Sequence, residues 1–258
     1  MLVLSAMVVA AQVVMAPTPG GAAVPTYMID STRLVRQFWS NSPTRCEETI
    51  KQLAARYRLA GRHILSIGGG GGIQEHYMLL DGAASATVVE PDPHGNLRRF
   101  FDVDAPGKLR YVVTRADGWQ PDQPYDTLFV SGYDADELRR ADLVRTHFPW
   151  PKSLDPFHPA VMHDADGLPD GGLLIAQITS GGADIRVNPD FMPAVERQLG
   201  EHGLKLIEAY RFSETAGVML LVASKGTVAI DKSAKLTTFY GRAAFEPIVK
   251  VFPEKPAG

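Results

Sequence analysis

The sequence predicts an α/β protein: a parallel sheet with helices on both faces, closed at one edge by an antiparallel C-terminal hairpin. Three observations carry this expectation. Short apolar runs alternate with helical patterns from residue 63 onward. The first of these runs ends in five consecutive glycines, Gly68, Gly69, Gly70, Gly71 and Gly72. The last two runs are separated only by Ser213, Glu214, Thr215 and Ala216. Parallel neighbours need a crossover of about a dozen residues, so this final pair must be antiparallel.

Residues 2–16 (LVLSAMVVAAQVVMA) are almost wholly apolar. A transmembrane helix needs about 20 such residues. The first basic residue is Arg33, and Pro17 makes a poor cleavage position for a signal peptide. The expectation is a buried strand or helix, a candidate contact of a homodimer, in a cytoplasmic protein with no membrane partner. Asp30, Ser31 and Thr32 are cap-type residues before a short helical stretch, RLVRQFW. A second helix opens near Pro43, carries Ile50, Leu53, Ala54, Tyr57 and Leu59 on one stripe, and ends by Gly61. HILSIG (63–68) is the first strand, apolar enough to be buried on both faces. A helix follows from Ile73, then strands over 86–92, 109–117, 125–132 and 171–179, with a helix over 96–101 after the second strand. A helix over 193–203 leads into the hairpin strands 204–212 and 217–225. The organisation predicted is an N-terminal extension (1–60), one Rossmann-like domain (61–226) and a C-terminal extension (227–258).

Composition narrows the function classes. With 45% hydrophobic and 21% charged residues over 258 positions, the chain can bury a full core, which excludes a mostly disordered or collagen-like protein. The single Cys46 excludes a disulfide framework and a four-thiolate metal site. A formal net charge of −3 and a pI near 6.2 give no reason to expect a nucleic-acid backbone. A small-molecule substrate and no nucleic acid are therefore expected.

Glycine costs roughly 0.5–1 kcal/mol relative to alanine in ordered structure. Five together, directly off a buried strand, point to a compensating gain. That gain is main chain approaching a ligand too closely for a Cβ, beside the free N–H groups of a helix start; a flexible surface loop is the competing reading. No Lys-Ser or Lys-Thr follows the glycines, so the phosphate-loop pattern fails. The G-x-G-x-x-G/A dinucleotide pattern also fails in every register. Glu90 nonetheless stands about 20 positions on, at the end of the second strand, where a carboxylate accepts both ribose hydroxyl protons. Ribose recognition without pyrophosphate recognition fits a nucleoside such as S-adenosylmethionine. A solvated strand end is the alternative for Glu90.

The runs ILSIGGGGG, VVEPD, ADG, YDTLFVSG and PDGGLLIAQ, with a hairpin ending in Ser224 and Lys225, resemble the class I S-adenosylmethionine-dependent methyltransferase superfamily. Within it they are most similar to the spermidine synthase-like (polyamine aminopropyltransferase-like) branch. The resemblance spans residues 63–225. It implies S-adenosylmethionine as cofactor, with Gly68, Gly69, Gly70 and Gly72 along the methionyl part and Glu90 and Pro91 at the ribose. Asp117 and Gly118 would contact adenine, and Ser131 would close the fourth strand beside the cofactor. It also carries departures. The aspartate that holds the amino group of decarboxylated S-adenosylmethionine in the spermidine synthases is Gly71 here, the aspartate ending strand four is Ser131, and a tyrosine-bearing segment is shortened to 213–216. A pocket without the first of these carboxylates suits a cofactor that brings its own, because adjacent anions repel strongly in a low-dielectric site.

Transfer from a sulfonium needs nucleophile and carbon aligned at ~3–3.5 Å, and a base where the nucleophile is a hydroxyl or an ammonium. The resemblance makes Asp134 the candidate base or cation-binding residue, and Tyr133 beside it is a candidate to orient or stack on a substrate; a helix-capping acidic turn is the bland alternative. Asp117 is equally a turn former. Gln177, ending strand five, and His158 are candidate substrate contacts. His158 lies in a proline-rich segment, 147–163, that reads as a lid or as a packed surface loop. His158 and His163 lack the spacing of a helical metal pair, and no metal is expected. Three readings remain: a small-molecule methyltransferase acting on an amine or hydroxyl, an aminopropyl or aminobutyryl transferase releasing methylthioadenosine, and a non-catalytic nucleoside-binding subunit.

Overall fold

Strands that are apolar at every position must be covered by helices on both sides, and the parallel strands here are. The computed structural model describes residues 26–29, 43–91, 109–131, 155–179, 191–212, 215–239 and 243–248. The chain runs β1 (Thr26–Ile29), α1 (Pro43–Tyr57), β2 (His63–Ile67), α2 (Ile73–Leu80), β3 (Ser85–Val89), β4 (Leu109–Val112) and β5 (Thr127–Ser131). It continues with α3 (Pro159–Asp166), β6 (Leu173–Thr179), α4 (Phe191–Glu201), β7 (Leu204–Phe212), β8 (Thr215–Lys225), β9 (Thr238–Phe239) and β10 (Ala243–Pro247). The expected helices at 33–39 and 96–101, and the apolar stretch 2–16, lie outside the described residues.

The sheet order is β1-β4-β3-β2-β5-β6-β8-β7-β10-β9. β4, β3, β2, β5 and β6 are mutually parallel, as the alternating pattern predicts. The C-terminal hairpin forms, but its second strand does not sit at the edge: β8 pairs antiparallel with both β6 and β7. The crossover through α4 sets β7 one place away from β6, and the hairpin turn folds β8 back into the gap.

Side-chain alternation divides the core into two layers. Ile64, Ala86, Val88, Tyr111 and Phe129 point to the side covered by Ile50, Leu53 and Tyr57 of α1 and Tyr77 and Met78 of α2. Leu65, Ile67, Val89, Leu128 and Val130 point to the side covered by Val161 and Met162 of α3 and Val195 and Leu199 of α4. Each fully buried side chain of this size is worth roughly 1.5–3 kcal/mol, so a one-residue register slip, which would exchange the layers, is strongly disfavoured.

Several elements differ from expectation. β4 stops at Val112 because the chain turns: Thr114 N–H donates to the Val112 carbonyl and Trp119 N–H to the Ala116 carbonyl. Within the segment read as a lid or a packed surface loop, residues 159–166 form α3, with Pro159 in its first turn and Val161, Met162 and Ala165 buried. β1 and β10, in the two extensions, pair antiparallel with β4 and β7 and lengthen the same sheet. Phe212, Phe239 and Phe245 cluster at the β10 end, the first two stacked at 3.9 Å between ring centroids. Among the described residues no helix is long and apolar enough to cross a membrane.

Candidate active site

Parallel register brings the carboxyl ends of three strands level. Ile67 of β2 lies opposite Val89 of β3 on one side and Val130 of β5 on the other. The residues just beyond, Gly68, Glu90 and Ser131, therefore meet at one rim of the sheet, where Gln177 of β6 stands opposite Ser131. Open α/β sheets bind ligands at this end. Pro91 follows Glu90 there, half-buried.

The glycine run is a shaped turn. Gly68, Gly70 and Gly72 have φ of 72°, 55° and 72°, a left-handed region that strains any residue with a Cβ. Gly69 is limited by space instead: a Cβ there would stand 3.0 Å from Glu75 Oε1, from Ser66 Oγ and from Val88 Cγ1. Gly68 N–H donates to the Val89 carbonyl at 3.1 Å and Gly72 N–H to the Gly69 carbonyl at 2.9 Å. The Tyr111 hydroxyl, from β4, donates to the Gly70 carbonyl. Gly70 N–H donates to Glu90 Oε2 at 3.2 Å, tying the turn to the end of β3. Among the described residues a Cβ built on Gly70 would meet nothing within 4 Å, so none of them covers that side of the turn. Gly72 opens α2 without a capping side chain, and the first-turn N–H groups favour a negatively charged ligand group.

Two residues that sequence reasoning passed over complete the turn. Glu75, in the first turn of α2, is fully buried, and its Oε1 accepts a hydrogen bond from Ser66 Oγ at 2.5 Å. Burial pushes its carboxyl up to about 7, against the lowering effect of the Ser66 bond. The available signal was a serine inside the apolar run HILSI, followed by a glutamate at a buried helix position.

Asp117 and His158 come together beyond β4. Asp117 accepts from Arg115 at 2.7 Å and 3.2 Å, in the turn that contains Gly118 at φ 77°. His158 Nδ1 lies 3.6 Å from Asp117 Oδ1 and accepts the Ala160 N–H at 3.1 Å, capping α3. Tyr133 and Asp134 lie outside the described residues. A separate cleft of about 660 Å³ lies at the opposite, amino end of the strands, between residues 120–125 and the C-terminal half of α3. Among the described residues no group of three or more His, Cys, Asp or Glu side chains could hold a metal ion.

A parallel five-strand block, a reversed strand wedged between β6 and β7, and a glycine turn off the central strand make up a Rossmann-like α/β fold. No family model and no curated protein matches the chain. Among solved structures, the 16S rRNA methyltransferase KamB is similar at TM-score 0.47 and 12% identity, over 66% of this chain and 91% of that one. The antibiotic-resistance methyltransferase Kmr is similar at TM-score 0.45 and 16% identity, over 68% and 93%. A 16S rRNA (adenine(1408)-N(1))-methyltransferase from Catenulisporales acidiphilia is similar at TM-score 0.44 and 13% identity, over 72% and 92%. Likeness at this level concerns the course of the chain and assigns neither activity nor acceptor.

One expectation is corrected here. RNA methyltransferases stand among these structures, against the expectation that nucleic acid is excluded as partner, and that expectation is withdrawn. Net charge averages over the whole surface, and a net charge of −3 is compatible with a local basic face. The narrower resemblance to the spermidine synthase-like branch gains nothing from these structures, which are methyltransferases.

Proposed function

We propose that this protein is an S-adenosylmethionine-dependent methyltransferase acting on an amine or hydroxyl acceptor. One observation carries the reading: the glycine turn off the central strand has a side that none of the described residues covers and is joined through Gly70 N–H to Glu90, the carboxylate at the end of the next strand. A carboxylate offers about four acceptor positions, so Glu90 can keep that bond and still accept from both ribose hydroxyls.

The residues present fit the cofactor. Main chain at Gly68, Gly69, Gly70 and Gly72 would line its methionyl part, with the start of α2 facing the carboxylate. Glu90 and Pro91 would hold the ribose, Asp117 and Gly118 the adenine edge, and Ser131 the side toward the acceptor. When bound, S-adenosylmethionine supplies an electrophilic methyl carbon on a sulfonium. The chain's part is to align the acceptor and remove its proton, which we assign to Asp134, with Tyr133 and Gln177 orienting the acceptor; His158, against Asp117, falls on the adenine side instead. A small-molecule acceptor is the reading proposed, and structured RNA is the class to set against it. Aminopropyl or aminobutyryl transfer is the other chemistry open to this cofactor site, and nothing in the geometry favours it.

Mass spectrometry of the nucleoside product separates the chemistries: S-adenosylhomocysteine is expected, and methylthioadenosine would overturn methyl transfer. Incubation with methyl-labelled cofactor, small amines and alcohols, and folded RNA then identifies the acceptor class; label only in RNA would refute the small-molecule assignment. Asp134→Asn should lower turnover far more than cofactor affinity. Equal losses in both would reject its place at the acceptor.

A further inference from the structure

Glu75 places a carboxyl in the core that packing does not explain. It is 0% exposed, Ser66 Oγ satisfies Oε1 at 2.5 Å, and Oε2 is buried with no hydrogen-bond partner among the described residues. An unsatisfied buried carboxyl oxygen is costly. The charge facing it from beyond β3 is Glu90, of the same sign. His76, next on α2, sets its ring against Tyr77 at 5.2 Å, and the Tyr111 phenol is engaged with the Gly70 carbonyl. Gly69 rests directly on Glu75 and Ser66, each 3.0 Å from where a Cβ would be. An acid under a ligand-binding turn is accounted for when the ligand brings the cation.

We propose that Glu75, held by Ser66 beneath Gly69, is the positioning and charge-selecting residue of the nucleoside site: it braces the turn and favours a sulfonium nucleoside over the neutral thioether left after methyl transfer. The proposal rests on the nucleoside reading above. Gly71 places no side chain in the turn, so recognition of the positive sulfur falls to the carboxylates around it, Glu75 below and Glu90 across. Weaker holding of the uncharged thioether would also speed its release.

The test is calorimetric titration of the full-length protein with S-adenosylmethionine and with S-adenosylhomocysteine, at about pH 6 and about pH 8. In the wild type the ratio of dissociation constants, thioether over sulfonium, should rise about tenfold across that range as the carboxyl ionises. In Glu75→Gln the ratio should be low and flat. Ser66→Ala removes a bond that favours the ionised form, so it should keep the dependence and move its midpoint to higher pH. A ratio indifferent to pH in the wild type, or a wild-type dependence retained by Glu75→Gln, overturns the proposal and leaves the nucleoside site standing. Absence of binding by either nucleoside removes the site and the proposal together. Should Glu75→Gln fail to fold, proton release by the wild type decides: near neutral pH, sulfonium binding should release more protons than thioether binding, and equal release overturns the proposal.

Discussion

Gly69 and Gly70 are neighbours in one turn, yet alanine meets different obstacles at each. At Gly69 the new methyl group would press on Glu75, Ser66 and Val88 at 3.0 Å, an overpacking that costs about 2–3 kcal/mol. At Gly70 there is room, and the obstacle is φ of 55°, worth about 1 kcal/mol. Urea unfolding should therefore rank Gly69→Ala as the more damaging of the two; the reverse order would mean that the turn does not rest on the Glu75–Ser66 pair. Glu75 also leaves a pH signature. Its carboxyl titrates near 4.5 when unfolded and near 7 when buried. Between these values the native state keeps a proton that the unfolded chain has lost. The stability tied to that proton is complete below pH 4.5 and is lost as pH rises through 7. Glu75→Gln, which cannot ionise, should gain on the wild type by up to about 3 kcal/mol in alkaline buffer and by little in acid. A stabilising substitution that weakens nucleoside discrimination is the behaviour of a residue kept for function. The glycines and Glu90 were legible as a site because their residue types are unusual where they stand. Ser66 and Glu75 were not, since each is commonplace alone and only their contact through the turn gives them meaning.

At the scale of elements, α1 is tied to β7 by a network that neither segment announces. Arg56 Nε donates to Glu208 Oε2 at 2.8 Å, the Tyr57 hydroxyl donates to the same oxygen at 2.7 Å, and Arg56 also reaches the Ala234 carbonyl at 2.7 Å. Burial alone would raise the Glu208 carboxyl, but the bonds from Arg56 and Tyr57 outweigh it and hold it below its ordinary value. Glu208→Ala would strand a largely buried guanidinium and should cost about 2–4 kcal/mol by thermal or urea unfolding. A loss within about 0.5 kcal/mol would show the network to be incidental. Helix and strand patterns were readable wherever one element buries its own stripe. α3 was readable too, from Pro159 and the spacing of Val161, Met162 and Ala165, but the prolines and aromatics before it drew the segment toward a loop. β1 had no such signal: Thr26–Ile29 is four residues long, and it is a strand because β4 offers an unpaired edge.

For the whole molecule, ligand binding and folding are linked. S-adenosylmethionine at about 100 times its dissociation constant should stabilise the native state by about 2.7 kcal/mol. In a chain of this size that should raise Tm by roughly 5–10 °C, read by differential scanning fluorimetry. Glu90→Ala, by removing charged hydrogen bonds worth ~1.5–3 kcal/mol, should shrink or abolish that shift; an undiminished shift would refute its place at the ribose. The sequence by itself determined the α/β class, the parallel block, the antiparallel closing hairpin and the glycine run at the rim proposed for a nucleoside. Each of these follows from local periodicity, connection length or a residue type that is costly out of place. Only the tertiary structure decided that β8 enters between β6 and β7, that both extensions lengthen the sheet, and that a buried acid lies beneath the glycine turn. Those outcomes depend on contacts between segments far apart in the chain, and such contacts leave no periodicity in either segment.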